Sequence, residues 1–110
     1  MHPHQTPADL IELAAAHLRM AAIAAARRSG GDPFSPWHAY AGQLDLAAAG
    51  LGTRPGLIPQ VGDHRDVLTH LDLASRALDH VPPGRGPTDV ALWCWQLTEL
   101  ARAAKEMAAA

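Results

Sequence analysis

Large side chains are scarce in this sequence: one Phe, one Tyr, three Trp and three Met in 110 residues. Much of the 48% apolar fraction is alanine, which removes little area from water per residue, so a thin core with closely spaced helices is expected. Cysteine occurs once, at Cys94; that excludes an internal disulfide and fits a reducing compartment. Lysine also occurs once and asparagine not at all, while Ala, Gly, Pro and Arg are plentiful, a composition that suggests GC-rich coding sequence. No run approaches the roughly 20 apolar residues that a membrane span requires. The first apolar run is broken by Glu12, His17 and Arg19 and follows Thr6-Pro7-Ala8-Asp9 rather than a positive cluster, which is not a signal-peptide pattern. A basic field is missing too. The formal net charge is −2 and the pI is about 6.3, a balance that argues against a nucleic-acid partner. A cytoplasmic protein without membrane contact is expected.

What the sequence does contain is helical periodicity, with no strand-like alternation. Residues 1–5 carry no pattern and read as a flexible tail ahead of one domain over 6–110. Thr6 is a helix cap with Pro7 at the first helical position and Asp9 near the positive end. The first helix is expected over 7–28, with Leu10, Leu13, Ala14, His17, Leu18, Ala21 and Ala25 inward and Glu12, Arg19 and Ala26 outward, ending at Gly30. Ser35-Pro36 opens a second helix over 36–50, with Trp37, Tyr40, Ala41, Leu44, Ala47, Ala48 and Leu51 as its stripe and Gly50 and Gly52 as its stop. The Pro- and Gly-rich stretch from Gly52 to Gly62 breaks the pattern, and its Leu57, Ile58 and Val61 are expected to fold over an end of the helices. Asp63 with Asp66 reads as the cap and capping-box pair of a third helix over 64–81. Asp72 and Arg76 on its outer side are a weak pair four residues apart. Pro82-Pro83-Gly84 and Gly86-Pro87 lead to a fourth helix over 88–108. Its stripe of Val90, Trp93, Cys94, Leu97, Leu100, Ala101, Ala104 and Ala108 makes it the helix on which the others are expected to pack. The fold class is all-α, an antiparallel four-helix bundle.

Several chemical signatures can be weighed. No Gly-rich phosphate loop and no Gly-x-Ser-x-Gly elbow is present, and Cys94 lies on the apolar stripe, where an inert thiol is expected. Seven histidines raise the question of a metal. Asp66, His70 and His64 lie close in sequence, His38 and Asp45 share a helix face, and His2 and His4 adjoin the amino terminus. Neither Glu-x-x-His nor His-x3-His occurs, so no metal and no cofactor is expected. His17 is expected as a core histidine bonded to a backbone or Tyr oxygen. Together with Trp37, Tyr40 and Trp93 it would line a pocket if the bundle held a small molecule.

The more informative feature is an apolar surplus away from the stripes. Trp95 and Leu92 fall among Glu99, Arg102 and Glu106, while Leu73 and Ile23 lie off the stripes of their own helices. An aromatic anchor beside a polar surround is the composition of an interface hot spot. These residues point to a small interaction module, an accessory or regulatory subunit acting through a protein contact. The simplest form is a homodimer without catalysis of its own. One motif points elsewhere. Arg65-Asp-Val-Leu-Thr-His70 resembles the Arg-x4-His motif of HEPN ribonucleases, small all-α domains that are often toxins. The resemblance covers six residues and implies that Arg65 and His70 act on an RNA backbone, usually across a dimer, as a nuclease or toxin–antitoxin component.

Overall fold

Thr6 starts the first helix through a reciprocal cap. Its hydroxyl accepts the Asp9 N–H at 3.0 Å and the Asp9 carboxylate accepts the Thr6 N–H at 3.2 Å, so two backbone donors without an intrahelical partner are satisfied at once. The computed structural model describes residues 6–51, 66–81 and 90–109. Four helices account for most of these: α1 (Pro7–Ser29), α2 (Pro36–Leu51), α3 (Val67–Asp79) and α4 (Val90–Ala109). No strand occurs among the described residues. Gly30, at φ 61°, ends α1 in the left-handed conformation that glycine adopts without a Cβ penalty, and its N–H returns to the Arg27 carbonyl. Across the turn into α2, the Arg28 guanidinium stacks 4.3 Å over the Trp37 ring, a cation–π contact that ties the two helix ends together.

The boundaries of α2 and α3 differ from the sequence pattern, and α3 runs over Val67–Asp79 rather than 64–81. The cap of α3 is Asp66, not Asp63. The Asp66 carboxylate accepts the Leu68 N–H and the Thr69 hydroxyl, so it is engaged forward along the chain and the helix begins at Val67. Asp63 lies outside the described residues, as do Leu57, Ile58 and Val61. Gly50 does not stop α2, which runs on to Leu51. Its absent side chain serves another purpose: a Cβ there would sit 3.0 Å from the edge of the Trp93 ring. Gly50 is where α4 comes close to α2.

The most extensively packed helix is α1, not α4 as the sequence pattern suggested. Helix α1 packs along both α2 and α3, while α4 lies on α3 and touches α2. Among the described residues α1 does not reach α4, nor α2 α3. The helices therefore form a ring in the order α1, α2, α4, α3. The cause is the alanine content. Ala14, Ala15, Ala21 and Ala25 are fully buried around Leu18, and Ala16, Ala22 and Ala24 nearly so. Small side chains on most sides let neighbouring backbones approach closely. Even Glu12, expected to face outward, is buried. Leu44 from α2 and Leu71, Leu78 and Val67 from α3 supply the volume that alanine lacks. Helix α4 buries only Leu97, Leu100 and Ala104. Val90, Trp93, Cys94 and Ala101 are half-buried and Ala108 is exposed, which leaves α4 at the periphery.

Ala21→Leu should therefore cost about 1–3 kcal/mol in urea unfolding, because three extra heavy-atom groups have no space between tightly packed helices. Exposed Ala26→Leu on the same helix should stay within about 0.5 kcal/mol of the parent. Equal effects at the two positions would contradict a central α1.

Candidate functional site

The outer side of α4 presents its apolar residues to water. Trp95 is 61% and Leu92 60% exposed, and their spacing of three places the side chains one turn apart on a helix. C-terminal to them runs a network of charges. Arg102 donates to Glu99 at 2.9 Å and to Glu106 at 2.7 Å. The hydrogen bond from Arg102 holds the Glu99 carboxyl below its ordinary range, and the two carboxylates raise Arg102. All three groups are solvated, so the net orders side chains more than it stabilises the fold. Beside this face lies a groove between α2 and α4, lined by Gln43, Leu46, Ala47, Trp93, Gln96 and Leu100. Leu46 on its α2 side is 75% exposed. It was not singled out from the sequence, although its signal was there: two residues beyond inward Leu44, it must point almost opposite. Phe34, in the α1–α2 turn, is exposed as well.

The four residues expected to form one interface do not lie together. Trp95 and Leu92 share the back of α4. Leu73 is half-buried in a groove between α1 and α3 with Leu10, Leu13, His17, Arg76, Ala77 and His80. Ile23 is exposed on α1, the helix that does not touch α4. The expected pocket residues are likewise dispersed. His17 belongs to the α1/α3 groove. Trp37 stands edge-on to Tyr40, with ring centroids 5.8 Å apart. The Tyr40 hydroxyl donates to the Leu100 carbonyl, and Trp93 fills the space left by Gly50. A groove of about 450 Å³ between α3 and α4 has the size of a small-molecule site. It is an open trough, floored by Leu68, Leu71, Leu97 and Ala101 and rimmed by Asp72, Arg102 and Lys105, and it contains none of the four residues.

Two histidines from different helices meet in the interior. His17 is 7% exposed and His70 is not exposed at all; their Nδ1 atoms lie 3.1 Å apart and their ring centroids 5.4 Å apart. His17 therefore bonds to an imidazole of α3, a partner that its place on the α1 stripe could not specify. Of the HEPN-like pair, Arg65 lies outside the described residues, and His70 is enclosed in the core with its Nδ1 turned toward His17. Among the described residues no group of three or more His, Cys, Asp and Glu could hold a metal ion. The Asp66 carboxylate is taken up by its cap, His38 and Asp45 are exposed on α2, and His2, His4 and His64 lie outside the described residues. Cys94 is half-buried with its Sγ 4.0 Å from Asp79 Oδ1. Partial burial first, and the Asp79 charge second, push the thiol upward, which keeps it protonated and a poor nucleophile at neutral pH. No helix among the described residues is long and apolar enough to cross a membrane. Compared with known proteins, the chain matches no family model, no curated protein and no solved structure.

Tyr40 offers a clean probe of the α2/α4 seam because it is the only tyrosine. Burial raises its phenol far above the ordinary value of about 10. The neutral phenol is thus favoured in the folded chain, a contribution fully present below pH ~10 and lost as the pH rises beyond it. Phenolate absorbance should appear only together with the loss of helical circular dichroism. Tyr40→Phe should cost about 1 kcal/mol at neutral pH and make the fold less sensitive to alkali. A phenol that titrates normally while the helices persist would place Tyr40 at the surface.

Proposed function

We propose that this chain is a small helical-bundle interaction module, acting through the outer side of α4 as an accessory or regulatory subunit in the cytoplasm without catalysis of its own. The observation that carries this reading is the pairing of Trp95 and Leu92, both more exposed than buried, next to the ordered Glu99–Arg102–Glu106 net. Single exposed apolar residues are ordinary. Two large ones a turn apart on one helix, with Leu46 across the adjoining groove, are the makings of a contact patch with a polar rim. The simplest occupant is a second copy of the chain, related by a two-fold axis, since one patch then serves both partners. Within each subunit we read adjoining helices as antiparallel. The α2/α4 pairs Gly50–Trp93 and Tyr40–Leu100 support this, as early α4 meets late α2 and later α4 meets earlier α2. The α3/α4 contact of Asp79 with Cys94 joins a helix end to a helix beginning.

Light scattering after size exclusion, over a concentration series of the full chain, tests the proposal. A mass near twice 11.7 kDa is expected, falling to the single mass on dilution. Trp95→Glu should give a folded monomer with unchanged helical circular dichroism, because Trp95 supports little of the core. A wild-type monomer at every concentration, a Trp95→Glu dimer, or a Trp95→Glu chain that fails to fold would each overturn the homodimer reading.

A further inference from the structure

Helix α2 leaves large apolar groups in water as well. Leu46 lies on its outer side and Phe34 in the turn just before it, both exposed. Ala39, Gly42 and Ala49 are exposed along with Leu46. Their spacing of three, four and three residues is that of a seam where one helix packs on another. Two glycines lie within α2, although glycine weakens a helix relative to alanine. Gly50 is accounted for by the Trp93 ring, whereas a Cβ at Gly42 would meet nothing within 4 Å. Among the described residues nothing requires Gly42 to lack a side chain. A bare backbone at that point admits a helix from outside the subunit.

Charge identifies the occupant. Besides Tyr40, the ionisable side chains of α2 are His38 and Asp45. Both are exposed, and a separation of seven residues places them on one side of the helix, beside Gly42. A helix with an imidazole near its start and a carboxylate near its end matches its own copy when the two run antiparallel. His38 of each then faces Asp45 of the other, twice about one two-fold axis. Parallel pairing would set like against like. The same pair fixes the register. With the crossing at Ala39 and Gly42, both His–Asp contacts form and Ala39 of one copy lies on Gly42 of the other. Moving the crossing one turn toward Ala49 would set Asp45 beside its own copy. On the adjoining elements, Asp32 accepts the Phe34 N–H at 2.9 Å, Arg28 lies over Trp37, and Arg102 is shared by Glu99 and Glu106. We infer that the α2 helices of two copies pair antiparallel, crossing at Ala39 and Gly42, with His38 of each set against Asp45 of the other. The inference rests on the proposed homodimer and names the seam along which it forms. Because α4 adjoins α2, the same axis turns α4 toward its own copy and carries Leu92 and Trp95 into the interface.

Charge reversal tests the seam, read as the dimer dissociation constant of the full chain from light scattering over a dilution series at neutral pH. His38→Glu should raise that constant about tenfold, because two pairs of carboxylates then meet. Adding Asp45→Arg to the same chain should return it to within about threefold of the wild type. Both positions are exposed, so helical circular dichroism should not change. A second measurement does not depend on charge. Chains carrying Ala39→Cys and chains carrying Gly42→Cys, oxidised together, should form a mixed disulfide-linked dimer in preference to either chain linked to itself. A wild-type monomer at every concentration would overturn the homodimer reading and this inference together. If Trp95→Glu abolishes the dimer while His38→Glu leaves the dissociation constant unchanged and no mixed disulfide forms, the α4 reading stands and the α2 seam is overturned. A double variant that binds no more tightly than His38→Glu would overturn the seam as well.

Discussion

Close packing of one alanine-rich helix between two others is the constraint from which the remaining architecture follows. Helix α1 offers Ala14, Ala21 and Ala25 with Leu18 between them, and small side chains draw α2 and α3 toward it. Apolar area alone is a weak source of stability here, because an alanine buries little. Dispersion between closely apposed backbones and the few large leucines contributed by α2 and α3 must supply much of the rest. The interior is thereby intolerant of added volume. It is also a place where one polar contact, His17 with His70, matters more than it would in a roomier core.

The same constraint sets α4 apart. Helix α1 packs closely along α2 and α3, and the last helix closes the ring, resting on α3 and meeting α2 at Gly50 and Tyr40. Its large residues divide accordingly. Leu97 and Leu100 are buried and Trp93 fills the Gly50 gap, whereas Trp95 and Leu92 remain in water. An outer helix that keeps a tryptophan exposed while ordering its neighbouring charges through Arg102 is a surface suited to a partner. The proposed function rests on this contrast between a closely packed inner seam and an outer helix that is only partly buried.

Element type and most boundaries were legible because they depend on local chemistry: Thr6 with Asp9, Pro7, Gly30 and Ser35-Pro36 are signals read within four residues. Which helix is the most closely packed was not legible, because periodicity locates a stripe but does not say how closely its neighbours approach. Trp93, Leu97 and Leu100 drew attention to α4 by size, while the alanines of α1 carry the same inward pattern in side chains too small to stand out. Glu12 shows the limit from the other side, since a charged residue off the stripe reads as solvent-facing until other parts of the chain are known to cover it. For the site, the exposure of Trp95 and Leu92 followed from their angular position. That Ile23 and Leu73 lie elsewhere, and that His17 meets His70 across 53 positions of sequence, depends on the order of the helices around the ring, which no local pattern encodes.

Residue-resolved amide hydrogen exchange at two protein concentrations tests the central claim most directly. Slowest exchange is expected in α1 from Ala14 to Ala25, independent of concentration, because those amides open only with the whole fold. Faster exchange is expected in α4, slowing around Leu92 to Glu99 as concentration rises and the outer face becomes covered. Protection in α4 that equals that of α1 in dilute solution would contradict the account, since the last helix would then be the core of the bundle and its outer face would not be free for a partner.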